Sequence, residues 1–156
     1  TWDFIFDRTD KGSTLKMLTM LDEYTRQCLA IRVERQIRSD QVLATLWQAM
    51  IQYGIPQHIR SDNGTEFIAG KIQRWLRENQ IKTLYIEPGS PWQNGYIESF
   101  HSRFRDECLN REWLLNLREA RVVIEDWRLH YNTERPHSRL GYLSPEDYIK
   151  HQIVSP

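Results

Sequence analysis

Strand-like and helix-like segments follow one another along this chain in an order that few folds can accommodate. Three segments with strand-like patterns come first, at 2–7, 15–21 and 28–34, and only short polar loops separate them. Short loops join antiparallel neighbours, so these segments predict a meander. After residue 38 the pattern changes to helix, strand, helix, strand and then helices. This order predicts an α/β fold in which a five-stranded mixed sheet carries helices on both faces.

Helix start and stop signals give the boundaries of the later elements. Ser39 is a suitable N-cap for the first helix, and Gly54 ends it. The inward-facing stripe of this helix is predicted to be Leu43, Leu46, Trp47 and Met50. Ser90 and Pro91 suit the N-cap and first position of a later helix. The other predicted elements are a strand at 58–61, a helix at 66–79, a strand at 81–86 and helices at 90–109 and 117–131.

The last part of the chain has a weaker pattern. We expect residues 1–131 to form the core and residues 132–156 to form a tail packed on it, with a short helix near 145–151. His137 is interpreted as a structural residue that holds this tail against the core. The chain begins almost at its first strand, which suggests an excised domain.

Composition excludes several classes of protein. The chain has 156 residues, of which 40% are hydrophobic, so it can bury a core and is not disordered. It contains no run of about 18 apolar residues and no basic and apolar leader, so we expect no membrane span, no signal peptide and a cytoplasmic location. The formal net charge is zero, which excludes a polycation that binds nucleic acid by charge alone. Yet 16 of the 21 basic residues are arginine, whose planar guanidinium suits phosphate oxygens.

Three carboxylates stand out by their positions in the predicted elements. Asp3 lies in the first strand, Asp62 follows the fourth strand, and Glu98 lies inside a helix 35 residues beyond Asp62. Two carboxylates about 4 Å apart repel by roughly 4 kcal/mol at an effective dielectric near 20, so a divalent cation is needed to gather three of them. On residue positions alone, four other carboxylates are rival ligands: Asp7, Asp10, Asp22 and Glu66.

The helix that carries Glu98 has two distinct faces. Apolar residues at helical spacing predict a buried stripe of Ile97, Phe100, Phe104 and Cys108. A second face at the same spacing carries Asn94, Glu98, His101, Ser102 and Arg105. Arg105 follows Glu98 by two turns, so its guanidinium can reach a phosphate that lies across the carboxylate. This helix is therefore expected to present one polar face to a substrate.

Four motifs resemble the catalytic core of the retroviral-integrase superfamily, and within it the OrfB type of bacterial insertion-sequence transposase. These motifs are WDF at 2–4, IRSDNGTEF at 59–67, QNGYIESF at 93–100 and the tail YNTERPH at 131–137. Together they span essentially the whole chain. The combination of the Asp–Asp–35–Glu spacing with these flanking residues is highly specific for that superfamily.

The resemblance implies a fold, a site and a reaction. The fold is RNase H-like, and Asp3, Asp62 and Glu98 are the catalytic residues that bind two Mg²⁺ or Mn²⁺ ions. Arg105 corresponds to a basic residue that contacts DNA near the element end, and Gln93 and Asn94 are candidate DNA contacts or structural residues of the helix start. Asn63 and Gly64 are interpreted mainly as turn residues. The implied reaction is metal-dependent cleavage and strand transfer of DNA at insertion-sequence ends.

The resemblance also implies partners. Full-length relatives carry an upstream domain that recognises the element ends, and this chain has no such segment, so DNA, a separate recognition domain and a second copy of the chain are the expected partners. We expect association with the nucleoid when the protein is active. Two other functions remain open from the sequence: an RNase H-like nuclease that only hydrolyses, and a non-catalytic module for dimerisation or DNA binding.

Overall fold

The computed structural model describes residues 1–62, 64–87 and 89–154. Its first three strands are β1 at Trp2–Arg8, β2 at Thr14–Leu21 and β3 at Cys28–Glu34. They pair antiparallel in the order β1-β2-β3, with Asp3 opposite Thr19 on β2. The predicted meander is confirmed.

The other two strands form a separate small sheet. β4 at His58–Ser61 pairs parallel with β5 at Lys82–Tyr85. The prediction of a single five-stranded sheet is therefore wrong for the described residues, which form a three-stranded and a two-stranded sheet. The two sheets still meet, because the Thr1 hydroxyl donates a hydrogen bond of 3.2 Å to the carbonyl of Arg60.

Side chains occupy the free edge of β1, which explains why β4 does not extend the first sheet. Thr1 and Leu21 exchange both backbone hydrogen bonds, so the even-numbered residues of β1 direct their backbone groups away from β2. The Phe4 amide donates to the Asp3 carboxylate at 2.8 Å, and the Phe6 carbonyl accepts from Arg105 at 3.1 Å. These groups are already paired, so they do not form a ladder with another strand.

Six α-helices complete the described fold. They are α1 at Ser39–Tyr53, α2 at Thr65–Ile68, α3 at Gly70–Glu78, α4 at Gly95–Phe104, α5 at Leu117–Thr133 and α6 at Pro145–Val154. None of these helices is both long enough and apolar enough to cross a bilayer. The α-helices and short strands confirm an α/β protein.

Several predicted helix boundaries need correction. The helix expected at 66–79 is broken at Ala69, whose extended ψ of 134° separates α2 from α3. The helix expected at 90–109 begins as a 3₁₀ turn over Pro91–Asn94 and ends as a π-helical turn over Arg105–Leu109. In α1 the N-cap is Arg38, whose backbone amide donates to the Gln41 side chain at 2.7 Å. Trp47 is 53% exposed, so it does not belong to the buried stripe of α1.

The three-stranded sheet separates two apolar clusters. One contains Ile5 and Met17 together with residues of α4 and α5, and the other contains Trp2 and Leu18 together with residues of α1 and α3. Alternate residues of a strand point to opposite faces, so each strand supplies both clusters. Helices therefore cover both faces of this sheet, as predicted. Asp3 shares the face of Ile5, which is the face that α4 covers.

The tail contacts the core at several points. His137 is buried and stacks edge-on against Tyr131, with ring centroids 4.7 Å apart. Arg135 forms a bidentate ion pair with Glu107, with distances of 2.6 and 2.7 Å. The helix expected near 145–151 is α6. The division of the chain at residue 131 stays a prediction, and residues 155 and 156 lie outside the described part.

Candidate active site

Asp3 lies on β1 beneath the first turn of α4. Its Oδ1 accepts a hydrogen bond of 2.8 Å from the Phe4 amide, and the Asn94 side-chain amide lies 3.5 Å from its Oδ2. The backbone contact is local, since it joins neighbouring residues of one strand. The Asn94 contact is tertiary, because it joins β1 to the segment that starts α4. These two contacts hold the carboxylate from opposite sides.

Asp62 follows directly after β4, and a tight backbone turn determines its orientation. Its Oδ1 accepts a hydrogen bond of 2.8 Å from the Gly64 amide, the pattern of an Asx turn. A Cβ atom on Gly64 would lie only 2.8 Å from this same oxygen. A larger residue here would therefore push the Asp62 carboxylate aside, although the Gly64 φ of −56° is open to any residue. Asn63, the other predicted turn residue, lies outside the described residues.

Glu98 lies in the first turn of α4, where buried neighbours set its position. Ile97 and Phe100 are 0% and 1% exposed, and they anchor the helix on the sheet. The predicted buried stripe of this helix is confirmed, and Glu98 lies beside it on the exposed side of the helix. Because α4 packs on β1, this anchoring brings Glu98 towards the strand that carries Asp3.

The electrostatics of Asp3 indicate that Asp62 and Glu98 each lie close enough for their charges to act on it. Burial raises the pKa of Asp3 to about 6, and the Phe4 amide opposes this shift. The negative charges of Asp62 and Glu98 raise the pKa further, while the Asn94 amide lowers it. Nearby negative charges disfavour the ionised form of a carboxyl group, so Asp62 and Glu98 both make the Asp3 carboxylate less stable. The charges of Asp62 and Glu98 thus act on Asp3, and the role of the three carboxylates as one site stays a prediction.

As arranged, the described residues contain no group of three His, Cys, Asp or Glu side chains that could hold a metal ion. The donor set nevertheless fits a hard divalent cation, because carboxylate oxygens are the ligands that Mg²⁺ prefers. Asn94 adds a second sign, since among the described residues its buried Oδ1 has no hydrogen-bond partner. A cation would relieve the repulsion that raises the Asp3 pKa.

Three of the rival carboxylates have other contacts. Asp7 accepts from the Arg8 amide at 2.8 Å, and four residues along a strand place it about 13 Å from Asp3. Glu66 forms an ion pair of 2.8 Å with Lys16. Asp22 caps its own turn by accepting from the amides of residues 24 and 25. Asp10 is exposed on the loop after β1.

The three expected DNA contacts each have a different partner within the chain. Arg105 donates to the Phe6 carbonyl at 3.1 Å, at the edge of β1. The Gln93 side-chain oxygen accepts a hydrogen bond of 2.9 Å from the Glu87 amide. This contact fits the interpretation of Gln93 as a structural residue of the helix start. Asn94 faces Asp3. Their contacts with DNA stay predictions.

Sequence reasoning missed a buried link between β1 and α4. Thr19 of β2 donates its hydroxyl to the Asp3 carbonyl at 3.1 Å, and the same oxygen lies 2.6 Å from Nε2 of His101. Since the threonine proton is used, His101 donates through its Nε2–H. Burial and, to a smaller extent, the Arg105 charge lower the pKa of His101 to about 4, so the ring is neutral. His101 was visible on the polar stripe, but no sequence signal marked Thr19.

Solved structures share this arrangement of strands and helices. The catalytic core of bovine immunodeficiency virus (BIV) integrase superposes with a TM-score of 0.72 over 97% of this chain and 95% of that one, at 20% identity. The HTLV-2 integrase core, solved in complex with magnesium, gives 0.63 over 93% and 91%, at 18% identity. Chains this distant share a fold, so the chain has the RNase H-like fold of retroviral integrase cores.

Family models and curated relatives give a closer relationship. The chain matches the integrase core domain over residues 1–91, and a second model of that description over residues 79–145, so the protein belongs to the integrase core domain family. It is 44% identical to an uncharacterized 39.2 kDa protein of insertion element IS476 from Xanthomonas euvesicatoria, over 95% of this chain and 43% of that protein. It is 27% identical to a transposase of insertion sequence element IS904 from Lactococcus lactis, over 90% and 57%. The chain thus spans about half the length of these relatives.

Proposed function

We propose that this chain is the catalytic core of an insertion-sequence transposase. It cleaves a DNA phosphodiester at the element end and joins the resulting 3′-hydroxyl to a target strand. The observation that supports this proposal is that the charges of Asp62, at the end of β4, and of Glu98, on α4, both raise the pKa of Asp3 on β1. Family membership supports the class of reaction, since a relative of this chain is named a transposase.

Asp3, Asp62 and Glu98 are the residues that would hold two Mg²⁺ or Mn²⁺ ions. When bound, such a pair supplies an activated nucleophile and stabilises the leaving oxygen of an in-line displacement. The HTLV-2 integrase core, which shares this fold, is described in complex with magnesium. No serine or tyrosine nucleophile is then required, so no covalent protein–DNA intermediate is expected.

The chain's own contribution is to position these carboxylates before substrate arrives. The Phe4 amide donates a hydrogen bond to one oxygen of Asp3, and the Gly64 amide donates one to an oxygen of Asp62. These bonds fix the orientation of the two carboxylates. The buried Ile97 and Phe100 hold Glu98 over the sheet. Preorganised ligands do not need to rearrange during the reaction, which lowers its barrier.

Other parts of the proposal concern DNA and partners. Arg105, Gln93 and Asn94 would contact the DNA near the element end. Because the relatives are about twice as long, recognition of the end sequence is assigned to a domain outside this chain. A homodimer is proposed as well, and the exposed apolar residues of α1, Trp47 and Ile51, support it. Location in the cytoplasm and association with the nucleoid belong to the same proposal.

The test uses the full-length protein that contains this chain, with a duplex that carries its own element end. In Mn²⁺ the wild-type protein should produce cleaved and joined strands, while Asp62→Asn should lose both by at least about 10²-fold, because a metal ligand is removed. Asp10→Asn is the matched control, since Asp10 is an exposed rival carboxylate. Unchanged activity in Asp62→Asn would contradict the proposal.

Product analysis separates the other two functions. If the wild-type protein cleaves DNA but never joins a supplied 3′-hydroxyl, it is an RNase H-like nuclease that only hydrolyses. If calorimetry detects no Mn²⁺ binding at millimolar metal and no product forms, the chain is a non-catalytic module. Joined product that depends on Asp3, Asp62 and Glu98 supports the transposase.

A further inference from the structure

A cavity of about 370 Å³ lies on the side of α4 that faces the tail. Three arginines line it: Arg26 from the turn after β2, Arg103 from α4 and Arg139 from the tail. Among the residues that the structure describes, the lining contains no aspartate or glutamate, and none of the three arginines forms an ion pair. A chain with zero net charge thus concentrates three positive charges around one cavity.

Aromatic side chains form the open side of the same cavity. Trp92 is 73% exposed and Tyr96 is 44% exposed, and both line it. The Arg26 guanidinium lies over the Tyr96 ring, 4.0 Å from its centroid. Single exposed rings are common on protein surfaces, but Trp92 and Tyr96 line the same cavity as three guanidinium groups. Arg26 thus covers one face of Tyr96, and Trp92 is the exposed ring of this cavity on which a nucleic-acid base can stack.

The floor of the cavity contains a buried histidine. His137 is 3% exposed, and its Nε2 has no hydrogen-bond partner among the described residues. Burial lowers its pKa to about 4, helped by the charges of Arg135 and Arg103 and opposed by that of Glu107. The surroundings of this ring are therefore already positive. An anion is the ligand that such surroundings favour.

The cavity is next to the proposed catalytic site. Ser99, which follows Glu98 directly, lines it, as do Gly95 and Tyr96 of the same first turn of α4. Residues one position apart on a helix point about 100° apart, so α4 has Glu98 on one side and the cavity on the next. A strand whose scissile phosphate lies at Glu98 therefore passes within a nucleotide or two of the cavity.

We infer that this cavity binds one nucleotide of the DNA strand, with its phosphate held by Arg26, Arg103 and Arg139 and its base stacked on Trp92, next to the Arg26–Tyr96 pair. The inference rests on the proposed function, because it takes DNA as the substrate. It explains the joint presence of guanidinium groups and open rings. A site for phosphate alone needs the arginines but has no use for an exposed tryptophan.

The test measures binding without catalysis. A fluorescently labelled single-stranded 12-mer is titrated with the 156-residue chain in EDTA, and anisotropy reports the affinity. Trp92→Ala is compared with Trp113→Ala, because the two tryptophans are 73% and 75% exposed. Arg139→Gln is compared with Arg118→Gln, because Arg118 is also exposed but lies on α5, away from the cavity lining.

The inference predicts weaker binding for the two cavity variants only. Trp92→Ala should lose at least about fivefold in affinity through lost stacking. Arg139→Gln should weaken binding and reduce the slope of log K against log salt by about 0.7, the value for one phosphate contact on a single strand. Trp113→Ala and Arg118→Gln should stay within about twofold of wild type. A 12-mer containing 5-bromodeoxyuridine should crosslink to Trp92 or Tyr96 on irradiation.

Each contrary outcome overturns the inference. Equal effects of Trp92→Ala and Trp113→Ala, or a crosslink elsewhere on the chain, would exclude base stacking at this cavity. Competition by millimolar inorganic phosphate with no effect of Trp92→Ala would show a site for free anions. The binding assay contains no metal, so a negative result in it does not contradict the proposed transposase function. That function is tested separately by strand joining with the Asp62→Asn variant.

Discussion

Replacing Gly64 with alanine should disturb the Asp62 carboxylate without straining the backbone. The new Cβ would lie 2.8 Å from Oδ1 of Asp62 and 3.4 Å from Oε2 of Glu66. The first distance is well inside van der Waals contact, so the carboxylate must rotate away. Gly64 has φ −56° and ψ 143°, which alanine adopts freely. The whole effect therefore falls on the side chain that we propose as a metal ligand.

The size of the effect follows from the contact that is lost. Rotation of Asp62 breaks its 2.8 Å hydrogen bond from the Gly64 amide, and a bond to a charged group contributes about 1.5–3 kcal/mol. Lower entropy of the unfolded chain returns about 0.4–1 kcal/mol for Gly→Ala. Since Asp62 is half-exposed, we expect a net loss of about 1 kcal/mol in the free energy of unfolding. Strand joining should fall more steeply, by about 10²-fold, because a displacement near 1 Å misplaces a catalytic group.

Two assays check this prediction against a matched control. Urea unfolding gives the stability change, and strand joining in Mn²⁺ gives the rate. Gly70→Ala is the control, because a Cβ there meets no atom within 4 Å and Gly70 lies in the first turn of α3. A Gly64→Ala protein that joins DNA at the wild-type rate would refute the reasoning that the Gly64 turn orients Asp62.

Two further predictions concern Asp3 and its surroundings. Because the pKa of Asp3 is raised in the folded state, its protonation stabilises the metal-free protein below about pH 4, and this stabilisation is lost as pH rises through about 6. The Tm of the wild-type protein should therefore fall over this pH range, and the Tm of Asp3→Asn should fall much less. Mn²⁺ should restore the wild-type Tm at pH 7 but not that of the variant, and equal pH profiles would contradict the assignment. Thr19→Val removes the hydroxyl between Asp3 and His101, so the rate of strand joining should drop about tenfold. The control is Thr45→Val, because the Thr45 hydroxyl donates to the Gln41 carbonyl within α1, and this variant should join strands at the wild-type rate. Equal rates for the two threonine variants would show that the Thr19 link does not position the site.

Local patterns were sufficient for most of the elements. The alternation at 2–7 and the short polar loops predicted three paired strands, because side-chain period and loop length are properties of neighbouring residues. The stripe from Ile97 to Cys108 predicted the buried face of α4 for the same reason. Local patterns failed at Ala69, where the helical periodicity continues but the backbone is extended. There the packing of Phe67 against Trp2 and Phe4 outweighs helix propensity.

The candidate site shows a similar division. Spacing and flanking motifs singled out Asp3, Asp62 and Glu98, but strand periodicity alone could not prefer Asp3 over Asp7, since both residues share one face of β1. The choice depends on where α4 crosses the strand. Asn94 contacts Asp3, whereas Arg105, about three turns further along, contacts Phe6. No local sequence pattern predicts where α4 crosses β1.

The sequence by itself determined the order of strands and helices, the two faces of α4 and the identity of three acidic residues. These features depend on neighbouring side chains and on recognisable motifs. Only the tertiary structure decided that β1 and β4 remain in separate sheets, that Thr19 and His101 link β1 to α4, and that three arginines from distant segments surround one cavity. These features depend on contacts between residues 16 to more than 100 positions apart, and such contacts form only when the whole chain has packed.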